Sequence, residues 1–387
     1  MNSKVVYIGH SARLDGAERC FLESIRALKL KEVEVIAFLP SEGPLCEKLT
    51  AIGVPYHILN FPRWMRKNEI SGVKKIKFVL WQFSLVRKFK KKLLELKPDY
   101  VITNTVVISP FAAIASKKLG IPHFWYIHEF GDDDHGIQFL FSRKRTGEII
   151  DKYSRKVFVN SNIIREKFQQ IISPDKMELL HYAVENEENS NGNVAGNEPS
   201  RNDEKLNILL LGRMVEKKGQ AEAVRGIAAL KQKGYTVKLT MVGGGKSSFK
   251  NELKALIQSR GVSEEVEIID FTSEPMKYLE NSDIVLMCSK CEAFGRVTVE
   301  AMKKGKPVVG ANTGATPEII KDGFNGKIYV HGDEDDLANK IIYFIDNKDK
   351  LQEMGSNARQ WALENFNYDV HATKLLKFLN SGSAPNS

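Results

Sequence analysis

The sequence lacks the cysteine pattern of a zinc or disulfide protein. It has only four cysteines in 387 residues, and two of them, Cys288 and Cys291, form a C-x-x-C. A structural zinc site would need a second ligand pair at a matching spacing, and the sequence offers none. We therefore interpret these cysteines as reduced thiols and predict no metal site and no cofactor.

The sequence also lacks long apolar runs and an N-terminal targeting signal. No segment approaches the roughly 20 apolar residues that span a bilayer. The first residues, MNSKVVYIGHS, enter a strand-like run without the apolar core and cleavage site of a signal peptide. These features predict a cytoplasmic protein.

A dinucleotide fingerprint is missing as well. The first loop, GHSARLDGAER, contains no G-x-G-x-x-G, so a nicotinamide cofactor is not expected. The loop does place Gly16 before a predicted helix over residues 17–30. A glycine at such a turn lets the backbone approach a phosphate, although it is also common for purely structural reasons.

The net charge of +9 is concentrated between Trp64 and Lys97, where aromatic residues alternate with eleven lysines and arginines and only two glutamates. A helix is predicted from Phe78 to Leu96. Two interpretations stay open for residues 64–97. The segment lies on an anionic membrane surface, or it is a solvated amphipathic helix whose aromatic side chains face the core. Nucleic acid is not expected, because no nucleic-acid-binding motif accompanies the charge.

Short apolar strands alternate with helices in two separate series. This alternation predicts an α/β protein with two Rossmann-like, doubly wound domains that face a central cleft. The first domain is expected at 1–184 and the second at 206–364. The polar segment at 185–205 is expected to be a linker or a surface loop. An amphipathic helix is predicted over 365–379, after the second series ends, and the pattern alone leaves open which of the two domains it packs on.

Two motifs in the second series point to phosphate and sugar chemistry. In LGRMVEKKG, Arg213 and Lys218 follow a buried strand, where an arginine fork and a lysine point charge suit a diphosphate. In CEAFGRVTVE, Glu292 and Glu300 flank a helix start at Gly295. A loop and two helical turns put the two carboxylates roughly 10 Å apart, about the span from hexose to ribose in a sugar nucleotide.

Amides just after Gly295 add to this phosphate chemistry. The first backbone amides of a helix have no partner inside it and favour anions. We therefore expect the amides of Arg296, Val297 and Thr298 to be unpaired donors. The run Ala293–Thr298 is predicted to contact the donor together with Glu300.

These motifs together resemble the family 4 glycosyltransferases, which are retaining enzymes of the GT-B fold. The shared features are DGAE in the first loop, IHE near 128, FVNS near 161, GR followed by KKG, the two glutamates seven residues apart, and TPEII near 318. The resemblance runs over nearly the whole chain. Two departures stand out, since Asp15 replaces a common second glycine and Arg296 replaces an aliphatic residue.

The resemblance implies a role for each matching residue. Glu292 would contact donor-sugar hydroxyls, and Glu300 would bind the ribose. Arg213 and Lys218 would neutralise the leaving diphosphate in place of a metal. Gly16 would line the phosphate pocket, and His128 would approach the sugar from the acceptor side. The resemblance also implies that a closing helix within 365–387 crosses back to the first domain.

The implied function is transfer of a hexose-type sugar from a nucleotide diphosphate sugar to a glycan or lipid-linked acceptor in surface polysaccharide or glycoconjugate synthesis. A UDP-sugar is favoured over a GDP-sugar, and location at the inner face of the cell membrane follows if residues 64–97 bind lipid. Two alternatives remain: a sugar-nucleotide epimerase of similar fold, and a non-catalytic nucleotide-binding partner of another transferase.

Overall fold

The structure is a computed structural model that describes residues 3–66, 72–131, 138–185 and 205–381. The chain divides into two compact units. The first, unit 1, contains the stretches up to Val184 and from Phe366 onward, and the second, unit 2, lies between Glu185 and Asn365. The polar segment predicted as a linker lies almost entirely outside the described residues.

Unit 1 is built on a parallel sheet in the strand order β3-β2-β1-β5-β6-β8-β9. Its near-continuous apolar strands are buried on both faces, which is why they pair in parallel beneath helices. A small antiparallel pair, β4 and β7, lies beside it. The strands are β1 (Lys4–Ile8), β2 (Glu34–Leu39), β3 (Tyr56–Ile58), β4 (Met65–Arg66), β5 (Tyr100–Asn104), β6 (His123–Ile127), β7 (Gln138–Phe139), β8 (Lys156–Val159) and β9 (Met177–Leu179).

Six helices of unit 1 lie between its strands along the chain, as expected for a doubly wound sheet. They are α1 (Gly16–Leu30), α2 (Pro44–Ala51), α3 (Gly72–Leu96), α4 (Phe111–Lys118), α5 (Arg143–Tyr153) and α6 (Asn162–Phe168). Helix α3 begins six residues before the predicted start at Phe78. The prediction missed this turn because residues 72–77 are all exposed and carry no burial pattern of their own.

Unit 2 is also built on a parallel sheet, with the strand order β12-β11-β10-β13-β14-β15. Its strands are β10 (Leu206–Leu211), β11 (Val237–Val242), β12 (Val266–Ile269), β13 (Ile284–Met287), β14 (Val308–Ala311) and β15 (Gly326–Tyr329). Its helices are α7 (Gln220–Gln232), α8 (Ser247–Ser259), α9 (Pro275–Glu280), α10 (Arg296–Lys303), α11 (Thr316–Ile319), α12 (Glu334–Asp346) and α13 (Lys348–Asn365).

The last helix, α14 (Tyr368–Asn380), belongs to unit 1 and packs on α1. The predicted helix over 365–379 was misplaced at its start, because Asn365 ends α13. Asn367 is the N-cap of α14, and its side chain accepts a hydrogen bond from the Val370 amide at 2.8 Å. On its inner face His371 Nδ1 lies 2.7 Å from the His181 carbonyl oxygen. Among the described residues, no helix combines the length and apolar character that a membrane crossing requires.

Candidate active site

Loops at the carboxyl ends of the unit 2 strands pack against one another backbone to backbone. A Cβ atom on Gly219 would lie 2.0 Å from the Cys288 carbonyl oxygen, and one on Gly314 would lie 2.4 Å from that of Glu292. Both glycines have positive φ, 76° and 56°, which other residues rarely adopt. Only glycine lets these loops come together, and they carry the predicted site residues to this edge of the sheet.

The loop after β10 positions two cations. Arg213 follows Gly212 and is exposed, while its carbonyl oxygen accepts a hydrogen bond from Gln220 Nε2 at 3.0 Å. Lys218 ends a short 3-10 turn, and α7 begins two residues later. Arg213 and Lys218 therefore lie at the carboxyl end of the strand, as the sequence predicts.

Lys218 and Glu292 form an ion pair, with Nζ and Oε2 2.5 Å apart. The side chain of Glu292 is 15% exposed, so water screens the pair only partly. The carbonyl oxygen of Glu292 accepts a hydrogen bond from the Ala315 amide at 2.8 Å, which fixes the loop that carries the carboxylate. From the sequence, Lys218 was expected to bind the diphosphate and Glu292 to contact the donor sugar. The structure pairs the two side chains with each other.

Helix α10 begins at Arg296, with Gly295 as its N-cap in the left-handed region at φ 94°. The start at Gly295 is confirmed. The expectation of three unpaired amides is wrong for Thr298, whose N–H donates to the Gly295 carbonyl oxygen at 3.0 Å. The Thr298 hydroxyl is buried and has no hydrogen-bond partner in the described chain.

Arg296 pairs with Glu300 one turn along α10, its guanidinium 3.3 Å from the carboxylate. Both side chains are largely buried, with 14% and 17% exposed. The departure from the usual aliphatic residue thus places a positive charge on the carboxylate expected to bind ribose. Of the neighbouring predicted contacts, Phe294 is buried in the core, whereas Ala293 and Val297 are half-buried.

One buried carboxylate near these loops was not singled out in the sequence. Glu222, in the first turn of α7, accepts a hydrogen bond from the Gly332 amide at 2.9 Å and lies 2.9 Å from His331 Nδ1. These contacts tie the start of α7, four residues after Lys218, to the turn after β15. Acidic residues are common in the first turn of a helix, so the sequence alone does not predict these contacts of Glu222.

The two remaining predicted residues, Gly16 and His128, lie in unit 1. Gly16 is the first residue of α1, and a Cβ atom there would meet nothing within 4 Å. No packing requirement therefore accounts for glycine at this position. His128 follows β6 and is buried, with only 5% of its surface exposed.

His128 is held at both ring nitrogens. Nε2 lies 2.5 Å from Asn104 Oδ1, and Nδ1 lies 2.6 Å from the Tyr182 hydroxyl. Burial holds the pKa of His128 well below its usual range, so the ring is neutral at physiological pH. Asn160 extends the cluster by donating to the Tyr182 hydroxyl at 2.9 Å. Sequence reasoning missed Asn104, Asn160 and Tyr182, which lie far apart along the chain.

The arrangement in unit 2 suits a phosphorylated sugar ligand. An arginine and a lysine beside a helix N-terminus stabilise diphosphate charge, and carboxylates accept hydrogen bonds from hydroxyl groups. Within the described ranges, no three histidine, cysteine or acidic side chains gather as a metal site would require.

Comparison with known proteins identifies two family profiles that together span most of the chain. The family described as Glycosyltransferase Family 4 matches residues 14–188. The family described as Glycosyl transferases group 1 matches residues 196–361.

Individual relatives have low sequence identity to this chain, but the matches extend over most of its length. Trehalose synthase of Thermococcus litoralis is 25% identical over 333 residues, which are 81% of this chain and 78% of that protein. The capsular polysaccharide biosynthesis glycosyltransferase CapH of Staphylococcus aureus is 23% identical over 319 residues, 82% of this chain and 83% of that protein. A crystal structure of Anabaena HepE in complex with UDP superposes with a TM-score of 0.78 at 21% identity, covering 98% of this chain and 100% of that one.

Proposed function

The chain belongs to the family 4 glycosyltransferases of the GT-B fold, and from this premise we propose that it transfers a hexose-type sugar from a nucleotide diphosphate sugar to a glycan or lipid-linked acceptor, with retention of the anomeric configuration. The observation that carries the proposal is the juxtaposition of Lys218 and Glu292 beside the start of α10 in unit 2. Surface polysaccharide or glycoconjugate synthesis is the proposed setting, and the relationship to CapH supports it.

In this proposal Arg213 and Lys218 bind the diphosphate of the donor. Negative charge grows on the bridging phosphate oxygen as its bond to the anomeric carbon breaks, and nearby cations stabilise that charge most in the transition state. Two protein cations and the start of α10 supply positive potential at this position, so the reaction proceeds without a divalent metal.

Glu292 contacts hydroxyl groups of the donor sugar, and Glu300 binds those of the ribose. The ion pair with Lys218 orients the carboxylate of Glu292, so that one oxygen faces the cation and the other accepts from the sugar. Glu300 is oriented in the same way by Arg296.

The acceptor hydroxyl attacks the anomeric carbon from the face that the diphosphate leaves. The bond from that carbon to the phosphate oxygen breaks while the bond to the acceptor oxygen forms, and the leaving phosphate takes the acceptor's proton. In this proposal His128 approaches the donor sugar from the acceptor side, and Gly16 lines the pocket for the phosphates. We favour a UDP-sugar, which the HepE complex supports, and keep a GDP-sugar open. The protein acts in the cytoplasm or on the inner face of the cell membrane.

The proposal is tested by measuring release of nucleoside diphosphate from a panel of sugar nucleotides, with and without saccharide acceptors and in the presence of EDTA. We expect release that depends on the acceptor and survives EDTA, with the anomeric configuration retained in the product. Glu292→Gln should lower turnover strongly, whereas the exposed control Glu264→Gln should not. Sugar interconversion without an acceptor, or an absolute need for a divalent metal, would contradict the proposal.

A further inference from the structure

Helix α3 of unit 1 has two apolar faces, and the described residues cover only one of them. Its inner face packs Phe78, Leu85, Phe89 and Leu93 into the core of unit 1. Exposed apolar side chains are concentrated on the same helix. Among the described residues, seven of the twelve large apolar side chains that remain exposed belong to α3: Val73, Ile76, Val79, Leu80, Trp81, Phe83 and Leu94.

Four of these side chains form a continuous stripe. Val73, Ile76, Leu80 and Phe83 recur at intervals of three and four residues, so they lie above one another on one side of the helix. Each is between 63% and 65% exposed. Successive residues turn by 100°, which places the stripe opposite the buried side chain of Phe89. The stripe therefore faces away from the core of unit 1, and no described residue of this unit covers it.

Cations continue and flank this stripe. Arg87, Lys90 and Lys91 lie on the same outer side in the following turns, and Lys74 and Lys77 lie beside the apolar residues. The one acidic residue of α3, Glu95, is already paired with Lys92 at 2.8 Å. Glu95 also interacts electrostatically with Lys91, whereas Lys74, Lys77, Arg87 and Lys90 form no ion pair with a carboxylate of the described residues. The outer face is thus apolar at its beginning and strongly positive further on.

This combination fits an anionic lipid surface better than a protein surface. A second copy would bring like charges together along the helix, which is unfavourable. A bilayer interface accepts apolar side chains beneath the headgroups and attracts lysine and arginine to anionic lipid. Trp81, half exposed beside the stripe, is the residue type that favours the interfacial region.

We propose that the outer face of α3 docks on an anionic phospholipid bilayer, with Val73, Ile76, Leu80 and Phe83 entering the boundary of the acyl chains. Arg87, Lys90 and Lys91 then contact headgroups, and α3 lies in the plane of the interface. This inference rests on the proposed function in one respect: for a transferase that docks on a bilayer, the acceptor class is a lipid-linked molecule. Docking itself requires no catalysis.

The test uses the full chain and vesicles of phosphatidylcholine, alone or mixed with phosphatidylglycerol. We expect co-sedimentation with the mixed vesicles at low salt, release at high salt, and little binding to the neutral vesicles. The variant Ile76→Ser/Leu80→Ser/Phe83→Ser should bind at least tenfold more weakly, as should Arg87→Gln/Lys90→Gln/Lys91→Gln. The matched control is Phe271→Ser, which removes an apolar side chain that is 80% exposed in unit 2.

Two outcomes would overturn docking on lipid. One is equal vesicle binding by the wild type and both triple variants. The other is a dimer in solution that the apolar triple variant dissociates, which would make the stripe an interface between copies. Thermal unfolding shows that the variants are folded, and titration with UDP and GDP shows that unit 2 is intact. Loss of vesicle binding with unchanged nucleotide binding supports docking, whereas vesicle binding by a protein that binds no nucleotide would contradict only the proposed function.

Discussion

At the scale of single residues, the short contact between Lys218 and Glu292 makes the two side chains interdependent. Removing either one leaves a partly buried charge without its partner, so each single substitution disturbs the other residue. Residues coupled in this way give non-additive effects. The pair is therefore better treated as one coupled unit than as two separate contacts.

We predict that Lys218→Ala and Arg213→Ala each lower kcat about 100- to 1,000-fold, because each removes charge stabilisation that is needed as the diphosphate leaves. Lys254→Ala, on the exposed side of α8, is the matched control and should retain full activity. Steady-state kinetics with a saturating donor measures the effect. Turnover within threefold of the wild type for either site variant would remove that residue from the proposed site.

Substituting Gly16 separates a structural role from a functional one. Since a Cβ atom there meets nothing within 4 Å, Gly16→Ala should fold normally and should unfold at the same temperature or slightly higher. If Gly16 lines the phosphate pocket, the added methyl group should raise the KM for the donor. Thermal unfolding and donor kinetics, measured on the same preparation of Gly16→Ala, distinguish the two roles. A variant with unchanged KM would leave Gly16 without a role in binding.

The candidate residues of unit 2 could be singled out in the sequence because the motifs that carry them are local. Arg213, Lys218, Glu292 and Glu300 lie within a few residues of a strand end or a helix start. The environment of His128 could not be identified, because Asn104, Asn160 and Tyr182 come from the ends of other strands. Arg296 shows the limit within one motif, because its pairing with Glu300 depends on a rotamer that spacing alone does not fix.

At the scale of elements, α14 is the segment whose removal should damage unit 1 most. Its inner face buries Ala372, Leu375 and Leu379, and α1 covers it. Leu375→Ala should lower the free energy of unfolding by about 2–5 kcal/mol, the usual cost of emptying a leucine site in a core. Lys377→Ala, on the exposed side of the same helix, should change it by less than about 0.5 kcal/mol. Urea unfolding measures both, and equal values would mean that α14 contributes little packing.

The sequence predicts a helix boundary correctly where the burial of the side chains changes at that boundary. Helix α1 was predicted within one residue of its start because a loop precedes it and a buried stripe follows at once. The start of α3 was missed because its first turn is exposed, and the break before α14 was missed because Phe366 is buried like a helical residue. Apolar spacing predicts helices only where one side is covered.

At the scale of the whole molecule, the two units should respond differently to acid. Five histidines of unit 1 are buried or half-buried, and this burial lowers the pKa of each. It falls to about 3 for His123, to about 4 for His10, His181 and His371, and well below the usual range for His128. The unfolded chain binds these protons near pH 6.5, and the folded chain binds them only at much lower pH.

Unit 1 should therefore be fully stable at neutral pH and lose stability as the pH falls from about 6.5 toward 4, by at most about 1.4 kcal/mol per pH unit for each histidine. Trp361→Phe leaves tryptophan only in unit 1, so the fluorescence of that variant reports on unit 1 alone. Its urea midpoint should fall on acidification, and His123→Asn should reduce the fall. A midpoint unchanged between about pH 7.5 and pH 5 would contradict this account.

A metal-independent diphosphate site in unit 2 is tested most directly by calorimetric titration of the full chain with UDP and with GDP in the presence of EDTA. We predict that at least one nucleotide binds without metal, that Lys254→Ala binds equally well, and that Arg213→Ala binds at least tenfold more weakly. Absence of binding by both nucleotides, or equal affinity in the Arg213→Ala variant, would contradict a diphosphate site in unit 2.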